Sequence, residues 1–156
     1  MKGLLKFIAV VALVIGAKAY FFGGGANFKE RGLLPLEVSY VKGAKPADDQ
    51  PLLIECWATW CGPCRQSIPH LNKVYEKYHP RGLNIVGISN EDAAAVQSFM
   101  QQVPMNYTVA LDPTAHYAKE LKVKGIPHAF LLDRDGKLVW HGHPMELTEA
   151  DIEKVL

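Results

Sequence analysis

The chain has 156 residues, 49% of them hydrophobic and 21% charged, with a formal net charge of +1. That length and make-up fit one globular domain with its own core, free of internal repeats and low-complexity tracts. Near-neutral charge without a basic cluster excludes an electrostatic case for nucleic acid as a partner.

Residues 1–19 read as an export signal. Lys2 and Lys6 open it, Phe7 to Ala17 is apolar, and Ala17-Lys18-Ala19 is a small-x-small cleavage pattern. The uncharged run is short of the ~20 residues that a bilayer-crossing helix needs, although Tyr20, Phe21 and Phe22 could extend it as an uncleaved anchor that contacts the membrane. Residues 1–22 are therefore expected to be a signal peptide or N-terminal membrane anchor. Residues 23–32, opening on Gly23-Gly24-Gly25, read as a linker, and 33–156 as the folded domain.

Leu36 to Val41 is apolar enough for one short strand, and Lys42 to Gln50 is a polar loop containing Pro and Gly. Pro51 to Trp57 is a nearly continuous apolar run, as expected of a central strand buried on both faces, and Glu55 interrupts it. Ile68, Leu71, Tyr75 and Tyr78 recur at helical spacing, which predicts a helix from about Cys61 to Tyr78 with a kink at Pro69. Leu83 to Ser89 is a second central strand. Ser89 or Asn90 is the expected cap of the next helix, with Glu91 and Asp92 in its first turn, Val96, Phe99, Met100 and Val103 on one face, and Pro104 as its stop. Tyr107 to Leu111 is a short strand, and Asp112-Pro113 caps a brief helix over Thr114 to Leu121. Ala129 to Leu132 and Leu138 to Trp140 flank Asp133-Arg134-Asp135-Gly136 as a hairpin, and Thr148 caps a terminal helix carrying Ile152 and Val155. Strands alternating with helices in this order give an α/β three-layer sandwich.

The stretch that carries chemistry is Trp57-Ala58-Thr59-Trp60-Cys61-Gly62-Pro63-Cys64, at a strand-to-helix junction. A thiol at a helix N-terminus faces unpaired backbone N–H groups and the positive end of the dipole, which favour thiolate and lower its pKa. A second thiol three residues on can resolve a mixed disulfide formed by the first. Gly62 permits the tight turn, and Pro63 suits a first helical turn, where its missing N–H is no loss. Half of a zinc site has the same spacing, but zinc would need two more ligands and Cys56 is the one remaining cysteine. The pair could also be a stabilising staple, although closing so small a loop constrains the unfolded chain little.

With Trp57, Trp60 and Pro69, this motif makes residues of about 50 to 156 resemble the thioredoxin superfamily, and within it the TlpA/ResA group of DsbE-like, membrane-tethered or exported thiol-disulfide oxidoreductases. The resemblance implies a thioredoxin-like fold with a central mixed sheet and the TlpA-type strand-helix insertion, whose place Glu91 to Leu111 occupies. It implies Cys61 as the attacking thiolate and Cys64 as the resolving thiol, the redox-active disulfide Cys61–Cys64 serving in place of any other cofactor or metal. Glu55 matches the buried acid of thioredoxins, six residues before the first cysteine. In an apolar strand its carboxyl should be pushed toward neutrality, so that it can take the proton of Cys64. A strand-edge glutamate turned to solvent, or paired with a lysine, is the alternative. The ResA-like subgroup often carries a glutamate six residues after the first cysteine, and this chain has Ser67 there.

Gly125-Ile126-Pro127 resembles the family's cis-proline loop; without that resemblance a trans turn proline would be expected. Trp60, Gly62, Pro63, Ile126 and Pro127 are the expected substrate-binding residues, with Trp60 as an apolar rim and the Ile126 backbone pairing with an extended substrate segment. One of Trp57 and Trp60 belongs to the core. Cys56 should be a buried, inert thiol, and His128 incidental. Ala58 stands where peroxiredoxins place a threonine, which weakens a peroxidase reading.

The expected function is an extracytoplasmic thiol-disulfide oxidoreductase, periplasmic or on the outer face of the membrane, that reduces protein disulfides by dithiol-disulfide exchange. By family analogy apocytochrome c is the substrate to consider, a membrane thiol donor of the CcdA/DsbD type regenerates the pair, and the protein is a monomer. The alternative is a binding module in which the thiols, with His141 or His143, hold copper or zinc for delivery; Met145 beside them invites a copper site.

Overall fold

The computed structural model describes residues 38–156. The expectations for residues 1–32, signal or anchor and linker, lie outside that range. In chain order the elements are β1 (Ser39–Lys42), β2 (Leu52–Cys56), α1 (Gly62–Tyr78), β3 (Asn84–Ser89), α2 (Ala93–Gln102), β4 (Thr108–Leu111), α3 (His116–Glu120), β5 (His128–Leu132), β6 (Leu138–Gly142) and α4 (Glu149–Glu153), with 3-10 turns at His79–Arg81 and Pro144–Glu146.

The six strands form one mixed sheet in the order β1-β4-β3-β2-β5-β6. β2, β3 and β4 run parallel, while β5 lies antiparallel to β2, β6 to β5 and β1 to β4. Apolar runs too continuous to alternate become the four inner strands β4, β3, β2 and β5, because both faces of that part of the sheet are covered. On one face Leu53, Ile85, Val109 and Leu131 pack against Leu71 and Val74 of α1, Val96 and Phe99 of α2, and Ile152 of α4. On the other, Ile54, Val86, Ile88 and Ala110 pack with Tyr117 of α3. This is the three-layer sandwich that the element order implies. The α2–β4 unit sits between β3 and the α3–β5 segment, and β4 extends the parallel sheet beyond β3.

Several boundaries differ from the sequence expectations for local reasons. The cap of α2 is Asp92, whose carboxylate accepts the Ala95 N–H at 2.9 Å; Ser89 and Asn90 are not the cap, and Glu91 lies outside the helix. Ser89, Asn90 and Asp92 all have capping side chains, and Ser89 is already engaged with Glu91. α3 is shorter than expected and opens at Ala115 with φ 53°. Asp112 does support it, accepting the Tyr117 N–H at 2.8 Å. α1 runs through Pro69 as one helix. Thr148 caps α4 as expected, in a reciprocal capping box with Asp151. The hairpin turn closes on Asp133, whose Oδ1 accepts the N–H groups of Asp135 and Lys137, with Gly136 at φ 73°.

Candidate active site

Cys61 and Cys64 are joined in a disulfide at the start of α1. Cys61 is the helix N-cap, and its Sγ accepts the Cys64 N–H at 3.2 Å. Gly62 and Pro63 occupy the first positions of the helix, both exposed, where the N–H that Pro63 lacks has no helical partner to lose. Cys61 is 4% exposed and Cys64 fully buried.

The Ile126–Pro127 bond is cis, as the resemblance implied. The loop lies against the disulfide, with Ile126 O 3.7 Å from Cys61 Sγ. Trp60 is 72% exposed beside Cys61, whereas Trp57 is core, tilted against Phe99 at 5.4 Å between centroids. Trp60 and Ile126 border an open cleft of about 150 Å3 with Cys56, Asn90 and Tyr117 among its walls. All five residues expected to meet substrate thus surround the disulfide or adjoin it, though Pro127 is itself buried.

Glu55 is fully buried near the C-terminal end of β2. Strand alternation turns it to the face that carries α1, and Cys56 to the opposite face. Ser67 donates to Glu55 Oε1 at 3.0 Å, and the Tyr107 hydroxyl donates to Oε2 at 3.1 Å. The alternative readings of Glu55, solvent-facing or lysine-paired, do not hold. Burial lifts the carboxyl to about 7, against the opposing pull of the Ser67 and Tyr107 hydrogen bonds. Burial, reinforced by the Glu55 charge, raises Tyr107 well above the usual phenol range.

Ser67 Oγ also lies 2.9 Å from Cys64 O, one turn back on α1. A hydroxyl has one proton and cannot donate to both acceptors. With Glu55 protonated the conflict disappears, because the carboxyl donates to Ser67 and Ser67 donates to Cys64 O. The site is therefore fully paired with a neutral Glu55, and ionisation leaves the two acceptors competing. Gly87, the register partner of Glu55 on β3, leaves the room this arrangement needs: a Cβ there would meet Trp57 Nε1 at 3.0 Å and Tyr107 Cε2 at 3.2 Å.

Three residues at the site were not singled out from the sequence. Tyr107 was read only as the start of a strand, and Ser67 only as a missing glutamate. Glu91 was placed in a helix turn, yet its carboxylate accepts the Thr59 N–H at 2.7 Å, the Thr59 hydroxyl at 2.6 Å and the Ser89 hydroxyl at 3.0 Å. These are contacts across 12 to 52 residues, apart from the local Ser89 pair, and no spacing rule announces them.

Cys56 is 4% exposed, and burial, with the charges of Glu55 and Asp112, pushes its thiol up to about 12. It is buried on the face away from Glu55, as alternation implied. His128 packs tilted against Phe130, stacks on His141, and has its Nε2 3.2 Å from Nδ1 of His141. His143 Nδ1 accepts the Met145 N–H. Among the described residues no group of three or more His, Cys, Asp or Glu is arranged to hold a metal ion.

A helix-capping Cys-x-x-Cys disulfide, faced by a cis-proline loop and accompanied by a buried carboxyl on a mixed sheet, defines a thioredoxin-like dithiol protein. The chain belongs to the Redoxin family, whose model matches residues 34–156, and within the thioredoxin superfamily it is TlpA/ResA-like. It is 34% identical over 89 residues to the thiol-disulfide oxidoreductase ResA of Bacillus thuringiensis, a match covering 56% of this chain and 51% of that protein. The chain thus spans about half the length of such Bacillus relatives. ResA of Halalkalibacterium halodurans is 23% identical over 161 residues, covering 97% of this chain and 90% of that one. Among solved structures, one assigned to a thiol:disulfide interchange protein DsbE from Chlorobium tepidum is 33% identical with a TM-score of 0.65, covering 69% of this chain and 81% of that chain.

Proposed function

We propose that the protein is a thiol-disulfide oxidoreductase that reduces protein disulfides outside the cytoplasm. The observation that carries this reading is the Cys61–Cys64 disulfide at the N-terminus of α1, with the buried Glu55 linked to the Cys64 backbone through the Ser67 hydroxyl.

In the reduced protein the Cys64 N–H and the start of α1 favour the Cys61 thiolate. That thiolate attacks one sulfur of a substrate disulfide. A bond forms between Cys61 and the substrate, the substrate S–S bond breaks, and one substrate thiolate leaves. Cys64 then gives its proton to the Glu55 carboxylate and attacks Cys61 Sγ, releasing the second substrate thiolate and closing Cys61–Cys64. The substrate gains two electrons, and the protein pair loses them. An upstream dithiol donor returns the electrons, and Glu55 returns its proton to Cys64 as the pair is reopened.

The reducing direction is supported by the Gly62-Pro63 spacer, which resembles that of reducing thioredoxins. The exposed Trp60, with the Ile126 carbonyl beside Cys61, supports protein rather than small-molecule substrates, as an apolar rim next to a backbone acceptor. Location outside the cytoplasm rests on the N-terminal export pattern and on the ResA and DsbE relatives. On the same analogy the donor is a membrane protein of the CcdA/DsbD type, and apocytochrome c is the substrate to test first. The redox-active pair itself serves as the cofactor.

The test is a trap. Cys64→Ser, reduced and mixed with a protein disulfide, should accumulate a covalent adduct on Cys61 that dithiothreitol releases. Adducts on Cys56, or none at all, would overturn the assigned roles.

A further inference from the structure

Residues Ala58 to Cys61 form a turn, closed by the Cys61 N–H donating to Ala58 O at 3.2 Å. Thr59 and Trp60 are its central residues. The turn delivers the chain from β2 to the attacking cysteine, and Trp60 projects from it 72% exposed. The backbone beneath it fixes where the Trp60 side chain leaves the turn and limits the rotamers open to the indole.

That backbone is held by Glu91, 32 residues away and beyond the end of β3. The carboxylate grips Thr59 twice, through its N–H at 2.7 Å and its hydroxyl at 2.6 Å. Glu91 is itself fixed: Ser89 donates its hydroxyl to Oε2 at 3.0 Å and accepts the Glu91 N–H at 3.2 Å. The clamp thus ties the turn to the last residue of a central strand. It makes no hydrogen bond to Cys61 or Cys64, whose own geometry comes from the N-terminus of α1.

We propose that Glu91 is a positioning residue that fixes the Thr59–Trp60 turn so that Trp60 forms a preset docking rim for protein substrates. The inference rests on the oxidoreductase reading and adds to it a part that acts on large substrates alone. Binding to a rim already in place avoids the cost of ordering it at each encounter. A small disulfide that reaches Cys61 without touching the rim gains nothing from it.

Reduced wild type, Glu91→Ala, Glu91→Gln and Trp60→Ala are each mixed with insulin and with hydroxyethyl disulfide, and second-order rates are read. Glu91→Ala should react about tenfold more slowly with insulin, as for a misplaced contact, and within about twofold of wild type with hydroxyethyl disulfide. Glu91→Gln should restore the insulin rate, because its amide oxygen can accept the Thr59 N–H and its amide can donate to the Thr59 hydroxyl. Trp60→Ala should lose as much on insulin as Glu91→Ala, and the double variant no more than either alone. A wild-type insulin rate in Glu91→Ala overturns the proposal. So does an equal loss on both disulfides, a Gln variant as slow as Ala, or a full further loss in the Trp60→Ala background. Wild type inert to both disulfides would instead overturn the oxidoreductase reading on which the inference rests.

Discussion

Ser67 Oγ sits 3.0 Å from Glu55 Oε1 and 2.9 Å from Cys64 O, so one hydroxyl on α1 joins the buried carboxyl of β2 to the turn that carries the second cysteine. Position 67 departs from the ResA-like pattern in sequence, but its side chain still serves the acid at this site. Its place one turn beyond Cys64 makes the protonation state of Glu55 a local matter for that cysteine.

Glu55→Gln should slow the second step of exchange more than the first. Mixed-disulfide formation by Cys61 does not use the carboxyl, whereas resolution by Cys64 needs somewhere to put a proton. Rapid-quench measurement of both steps is the check, with a loss of about 10- to 100-fold expected in resolution alone. A wild-type resolution rate would remove Glu55 from the mechanism.

The same carboxyl sets a pH dependence of stability. In the unfolded chain Glu55 titrates near its ordinary 4.5, and in the fold near 7. Between those values the folded state holds a proton that the unfolded state releases. Stability is therefore greatest below pH 4.5, as far as this group is concerned, and falls as pH rises to about 7, by on the order of 3 kcal/mol. Denaturation midpoints measured across that window should show the slope in wild type and lose it in Glu55→Gln.

Tyr107→Phe and Ser67→Ala each delete a hydrogen bond that holds the Glu55 carboxyl down, so each should move its titration further upward. The pH at which resolution reaches half its maximum should rise in both variants. Each should also cost about 1 kcal/mol of stability at low pH, as for a lost buried hydrogen bond. Gly87→Ala reaches the same place by crowding, since its Cβ would press Trp57 and Tyr107, and should destabilise by about 1–3 kcal/mol.

Cys56 should resist alkylation in the native, reduced protein while Cys61 reacts. Its thiol is buried and pushed up to about 12. Iodoacetamide labelling followed by peptide mapping should find Cys56 modified only after unfolding.

What could be read from the sequence follows the range of each interaction. The Cys-x-x-Cys pair, the helix it caps and the opposite facing of Glu55 and Cys56 all follow from local spacing or strand alternation. The Glu55 environment does not: Ser67 and Tyr107 reach it from 12 and 52 residues away. The cap of α2 shows the same limit. Ser89, Asn90 and Asp92 are equally good by type, and Asp92 takes the role because Ser89 and Glu91 are engaged with each other and with Thr59. The cis bond at Pro127 was legible through family resemblance alone.

The most direct test of the reductase account is the equilibrium redox potential of the Cys61–Cys64 pair, titrated in dithiothreitol buffers at neutral pH. The account predicts a reducing value, close to the approximately −270 mV of thioredoxin. A value near the approximately −120 mV of the disulfide-forming protein DsbA would contradict it and make the protein a donor of disulfides.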